Sequence, residues 1–240
     1  MATPIPAPEP DPVFAQRRVS YEAGALDEAD LAADLLAQFR RWYDDAVAAG
    51  LPEPNAMVLA TTDADGAPSA RTVLLKQADD RGFVLYTNYG SRKASELAGG
   101  RAALLFPWHP MHRQVAVRGL VEKVSREESA AYFSSRPWGS RIGAWASRQS
   151  AVVPSREVLE EHWRELAERW PDRGRPDDVP LPDHWGGYLV RPVEVEFWQG
   201  RPSRLHDRLV YLPRDADAEA AGVPPALDDA DGWRVERRQP

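Results

Sequence analysis

The stretch AMVLATTDADGAPSARTVLLKQ, residues 56–77, decides the fold class. Residues 56–62 are apolar and β-branched enough for a strand. Asp63-Ala64-Asp65-Gly66 supplies turn chemistry, and residues 69–77 return as a second strand. That is a hairpin, and hairpins build antiparallel sheets. Outward from it, further strands are predicted over 82–87, 101–108, 113–124, 187–191, 193–199, 208–212 and 233–238. Eight or nine short strands, mostly hairpin-linked, make a mainly β chain with added helices: an antiparallel barrel or sandwich rather than a doubly wound parallel sheet.

The helices are inserted between these strands. Leu31, Leu35, Phe39, Trp42 and Ala46 recur at helical spacing, which predicts a helix over 28–49 with Asp27 as cap and Gly50 just past its end. Residues 91–98 form a short helix capped by Ser91. Residues 125–147 are helical but interrupted at Pro137 and Gly139, and 155–170 is amphipathic. Residues 1–16, with five prolines, read as a disordered tail, and 213–232 as a long mobile hairpin loop. Residues 17–240 then form a single domain.

Composition narrows the chemistry. The 240 residues contain no cysteine, so disulfides, thiolate nucleophiles and cysteine-ligated metals are excluded. Net charge is -7, which argues against duplex nucleic acid as a partner while leaving room for a locally basic pocket. No apolar run is long enough to span a bilayer and no signal peptide precedes the domain, which suits the cytoplasm. His109 and His112 flank a Pro110 turn that lacks the further ligands a metal site needs, so no metal is expected.

Four polar clusters remain. Arg71 and Lys76 point to opposite faces of a regular strand. They can serve one ligand only at a bulge, a strand end or a subunit interface, and otherwise are solvated ends of a buried strand. In Tyr86-Thr87-Asn88-Tyr89-Gly90-Ser91-Arg92-Lys93 a strand ends and a helix opens on two cations. Cations there oppose the helix dipole, a conflict that a bound phosphate removes. Arg204, His206 and Arg208 share one face if their segment is extended, either as a solvated edge or beside an anionic ligand. The fourth cluster, Tyr132, Arg136, Ser140, Gln149 and Ser150, surrounds the broken helix; singly these residues read as caps and turns.

Together these segments resemble the pyridoxine (pyridoxamine) 5'-phosphate oxidase family. The matching runs are RRVSY at 17–21, RTVLLK at 71–76, YTN at 86–88, GSRKA at 90–94, LLFPWH at 104–109, RQV at 113–115 and YFSSRP at 132–137. They continue with IGAW and SRQS within 142–150, LPDHWGGY at 181–188, EFWQG at 196–200 and RLHDR at 204–208. The ordered set runs from Arg17 nearly to the end of the chain. The resemblance implies an FMN-binding split β-barrel, a homodimer, and FMN in a cleft between subunits. It assigns FMN contacts to Arg71, Lys76, Tyr86, Thr87, Arg92, Lys93, Gln114, Gln149, Ser150, Trp198 and Arg208. It assigns substrate contacts to Lys76, Tyr132, Arg136, Ser140, Arg204 and His206, with Arg18 and Tyr21 in a flap. Arg204 and His206 are its catalytic pair.

The implied reaction oxidises pyridoxamine 5'-phosphate and pyridoxine 5'-phosphate to pyridoxal 5'-phosphate, with O2 as acceptor and H2O2 as co-product. Two rival functions stand beside it: a split-barrel flavin oxidase acting on another aromatic, such as a phenazine precursor, and a non-catalytic flavin- or pyridoxal-phosphate-binding protein.

Overall fold

A computed structural model describes residues 20–22 and 24–240. Arg18 and the proline-rich segment 1–16 lie outside the described residues. The described chain is built on nine antiparallel strands: β1 (Ala56–Thr62), β2 (Pro68–Leu74), β3 (Gln77–Asp79), β4 (Gly82–Asn88), β5 (Arg101–Trp108), β6 (Arg113–Lys123), β7 (Trp185–Gln199), β8 (Asp207–Pro213) and β9 (Trp233–Arg237). Their order is β2-β1-β5-β6-β7-β4-β3, with β8 added to β7 and β9 to β8.

β7 is the branch point. Its first half pairs with β4, from Trp185 opposite Asn88 to Val190 opposite Phe83, and its second half pairs with β8. Along its other edge it pairs with β6 from Tyr188 to Gln199. One long strand thus serves two sheet arms, which is the split of the barrel. The sequence predicts two strands here, separated at Pro192; the structure has one. A β-bulge between Arg118 and Gly119 places Gly119 opposite Pro192, so the ladder continues past a residue that cannot donate. A Cβ at Gly119 would stand 2.6 Å from the Arg191 carbonyl oxygen, so only glycine fits there.

The predicted strand over 69–77 is instead two strands. β2 ends at Leu74. Leu75 N–H then donates to Asn55 O at 2.8 Å, and Lys76 N–H to Val84 O at 2.9 Å. Between these residues the chain leaves β1 for β4.

Five α-helices are inserted: α1 (Leu35–Ala48), α2 (Arg92–Leu97), α3 (Arg126–Ser135), α4 (Trp138–Ala146) and α5 (Arg156–Arg169). The first helix starts later than the sequence predicts. Asp27 caps a 3-10 turn over Glu28–Asp30, and Asp34 caps α1 by accepting from Ala37 N–H at 2.7 Å. Leu35, Phe39, Trp42 and Ala46 are buried on the barrel, as the apolar stripe requires. The interruption falls at Arg136 and Pro137; Gly139 continues α4. The segment after β8, predicted as a mobile loop, is tethered. Leu227 is fully buried, donates its N–H to Asp80 O and accepts from Leu36 N–H. Among the described residues, no helix is long and apolar enough to cross a membrane.

Candidate active site

The partner switch after Leu74 turns Lys76 into a cavity of about 690 Å3 between the barrel and α3–α4. Lys76, Tyr86, Thr87, Lys93, Tyr132, Arg136, Ser140 and Gln149 all line it, as do Asn88, Ser147 and Trp185. Eight residues picked from three of the four polar clusters therefore face one space. Lys76 reaches the cavity from a strand end, whereas Arg71, inside β2, does not line it and turns to Glu96.

The aromatic wall is a stack. Tyr86 and Tyr132 lie 4.1 Å apart between ring centroids at an interplanar angle of 21°, and Tyr86 and Trp185 lie 5.4 Å apart at 11°. Burial pushes the Tyr86 hydroxyl up to about 12, so it stays protonated and can donate a hydrogen bond. The Arg136 guanidinium lies 4.8 Å over the Trp185 ring. Its Nη1 is buried without a hydrogen-bond partner, and burial works against its charge. Among the described residues no carboxylate forms an ion pair with Lys76, Lys93 or Arg136. Lys76 is exposed, but for the half-buried Lys93 and Arg136 burial disfavours the charge, and an anionic ligand offsets that cost.

Behind the cavity, Arg71 and Arg92 meet on Glu96, each at 2.7 Å. The Glu96 carboxylate, 5% exposed, also accepts from Ser69 Oγ at 2.6 Å and Thr61 Oγ1 at 2.5 Å. Hydrogen bonds from Ser69 and Thr61, then from the two arginines, pull it down to about 2. Burial lowers the neighbouring Lys93, and the Arg71 charge adds to that. Lys93 Nζ donates to Gln149 Oε1 at 3.0 Å, which also accepts from Thr87 Oγ1 at 3.0 Å. Ser91 caps α2 as predicted, and the Arg92 N–H donates to Ser150 Oγ at 3.2 Å. Three cations against one carboxylate leave two positive charges at this end, matching a phosphomonoester dianion.

Glu96 has a testable signature. A carboxylate with a depressed value stabilises the fold fully above its ordinary value of 4.5, and that contribution is lost as pH falls toward about 2. Thermal unfolding of Glu96→Gln will therefore show a lower midpoint at neutral pH and a flatter decline over that acid range.

The other candidates lie apart from this cavity. Gln114 on β6 is the register partner of Trp198, which also pairs with Arg208 on β8. Trp198 and His206 are 4.6 Å apart, and Tyr21 lies 5.8 Å from His206. His206 Nδ1 accepts from Arg201 N–H at 3.0 Å, and burial lowers its affinity for a second proton. Arg204, His206 and Arg208 do not share one extended face. Arg204 closes a 3-10 turn with φ 62° and His206 precedes β8, so only Arg208 is in the strand. Arg208 is held by Glu196 at 2.6 Å.

Sequence reasoning missed Glu96, Trp185 and Arg141. Glu96 had a signal, the i,i+4 spacing from Arg92 on α2. Trp185 sits in the LPDHWGGY run. Arg141 is buried, and its Nη1 and Nη2 donate to Pro176 O at 2.5 Å and Arg175 O at 3.1 Å.

Residues 43–169 match the family described as pyridoxamine 5'-phosphate oxidase, and residues 185–240 match the pyridoxine 5'-phosphate oxidase C-terminal dimerisation region. The chain is 62% identical over 227 residues to a Kineococcus radiotolerans protein named pyridoxine/pyridoxamine 5'-phosphate oxidase, covering 94% of this chain and 98% of that one. It is 54% identical over 228 residues to a Burkholderia cenocepacia protein of the same name, covering 95% and 99%. Among solved structures it is similar to PhzG from Burkholderia lata in complex with tetrahydrophenazine-1-carboxylic acid. That match has TM-score 0.78 and 29% identity, covering 91% of this chain and 100% of that one. A pyridoxamine 5'-phosphate oxidase-related, FMN binding protein from Nostoc punctiforme shares the fold, with TM-score 0.63, 16% identity and coverage of 85% and 98%. With this fold, this cation-lined cavity and these relatives, the chain belongs to the pyridoxamine 5'-phosphate oxidase family.

Proposed function

We propose that the protein is a cytoplasmic, FMN-dependent pyridoxal 5'-phosphate synthase. It oxidises pyridoxamine 5'-phosphate and pyridoxine 5'-phosphate with O2 as acceptor and releases H2O2. The observation that carries this reading is Arg136: a half-buried cation with one buried, unpartnered nitrogen, in one cavity with Lys76, Tyr132 and Ser140.

The residues fit two phosphate esters. Arg71, Arg92 and Lys93, with the net double charge left beside Glu96, hold the FMN phosphate, and Thr87, Gln149 and Ser150 flank it. Lys76, Tyr132, Arg136 and Ser140 hold the substrate phosphate. FMN held there would supply the redox chemistry, hydride acceptance from the substrate's C4' carbon with O2 as the final acceptor. Arg204 and His206 orient the pyridine ring. With Nδ1 engaged by Arg201 N–H, neutral His206 keeps its proton on Nε2 and donates from there.

These ring-facing residues do not line the phosphate cavity of their own chain. Trp198, Arg204, His206 and Arg208 all fall in the segment that matches the dimerisation region. A homodimer that sets this edge of one subunit against the phosphate cavity of its partner completes each site and brings Gln114, Trp198 and Arg208 to the flavin. Such joint sites follow from two-fold symmetry, since each subunit gives what it receives.

The test is direct. Purified protein is examined for flavin absorbance and given pyridoxamine 5'-phosphate in air, with aldehyde and peroxide followed together. A yellow protein without product would favour a carrier. The likeness to PhzG supports a second reading, oxidation of a phenazine precursor. A phenazine carboxylate would bring one negative charge to Arg136 and Lys76 where a phosphate ester brings close to two, which favours the phosphorylated substrate. Turnover of such a tricycle in preference to the phosphorylated vitamers would reverse that order.

A further inference from the structure

We propose that His112 is a positioning residue which, with Gly200, forms the seat that holds Tyr21 against the Trp198–His206 edge. Its kinetic reading rests on the function proposed above.

His112 ends the turn between β5 and β6 in the left-handed region, with φ 52°. A non-glycine residue adopts that conformation at a cost. Its imidazole Nδ1 is buried with no hydrogen-bond partner among the described residues, a second cost. The backbone around it is fully engaged. His112 N–H donates to His109 O at 2.9 Å, and its carbonyl accepts from Gly200 N–H at 2.7 Å and Gln199 Nε2 at 3.2 Å. These bonds pin the start of β6 to the end of β7, and so fix where the imidazole points.

The ring's return for this is Tyr21. The two ring centroids are 4.2 Å apart with planes tilted by 33°. Tyr21 in turn meets Trp198 edge-on, at 6.1 Å and 85°, and His206 at 5.8 Å. Gly200 makes room for the contact. A Cβ there would stand 2.6 Å from Tyr21 Cδ2 and 2.9 Å from His112 Cβ. The seat therefore exists because position 200 has no side chain and position 112 has a flat one. It delivers the 20–22 segment to the ring-facing half-site of its own chain.

The holoenzyme variants His112→Ala, His112→Phe, Gly200→Ala, Tyr21→Leu and the His112→Ala/Tyr21→Leu double variant test this. Loss of the seat should raise KM for pyridoxamine 5'-phosphate about tenfold in His112→Ala, with kcat and flavin content nearly unchanged. His112→Phe keeps a flat ring and should stay within about twofold of the parent protein. Gly200→Ala should reproduce the KM rise with His112 intact, and the double variant should be no worse than Tyr21→Leu alone. An unchanged KM in His112→Ala and Gly200→Ala, or independent effects that multiply in the double variant, would overturn the proposal. If the parent protein oxidises no B6 vitamer, the functional reading fails separately. The seat is then judged by thermal unfolding of the same cycle: non-additive midpoints for positions 21 and 112 support it, and additive ones overturn it.

Discussion

Arg136→Ala raises the KM for pyridoxamine 5'-phosphate about 100-fold, equivalent to ~2.7 kcal/mol, while the protein folds and keeps its flavin. The size follows from what Arg136 lacks. Its guanidinium rests over Trp185 and Phe133, and one nitrogen is buried without a partner. Truncation therefore breaks no ion pair among the described residues, so folding loses little. The bound phosphate loses the fork that meets it, and a lysine restores the charge without the planar geometry. Steady-state kinetics with flavin content measured by absorbance checks both halves. A large loss of flavin in Arg136→Ala would move this residue from the substrate phosphate to the cofactor.

The second large effect is on turnover. Arg204→Ala and His206→Ala should each lower kcat about 100-fold or more with flavin retained, because the proposed function has these side chains orient the ring against the flavin. His206 adds a pH signature. It is neutral at neutral pH because burial and the nearby Arg204 lower it, and its Nδ1 is the acceptor for Arg201 N–H. Protonation at Nδ1 abolishes that acceptor. Turnover should fall on the acid side, below the ordinary histidine value of 6.5, and not on the basic side from this group. Unchanged kcat in both variants would remove them from the catalytic pair.

Much of the fold was legible because local patterns encode it. The β1–β2 turn, the Ser91 cap and the β5–β6 pair follow from alternation and turn chemistry over a few residues. What was not legible depends on pairing between distant segments. Nothing near Leu74 announces that the next residues will leave β1 for β4, yet that switch carries Lys76 into the cavity. Pro192 reads locally as a strand break, and only the bulge at Gly119, more than seventy residues earlier, lets β7 run through it.

The site divided in the same way. Residues near strand ends and helix starts were identifiable by charge and by the resemblance. The counter-charge Glu96 offered only its i,i+4 spacing from Arg92, because its other three donors, on β1 and β2, reach it only in the folded chain. The expectation that Arg204, His206 and Arg208 line one face failed for a local reason: the turn at Pro202–Arg204 delays the strand until Asp207.

The proposed division of the site between two chains is open to complementation. Arg136→Ala and His206→Ala subunits, each nearly inactive alone at substrate concentrations below the parent KM, are co-expressed with different tags, and mixed dimers are isolated and assayed at that concentration. Each mixed dimer has one phosphate cavity and one ring-facing edge intact, on different subunits. Random assembly should therefore recover about a quarter of the parent activity, and the purified mixed dimer about half. A flavin-loaded mixed dimer with no more activity than either variant alone would mean that each chain builds its site by itself.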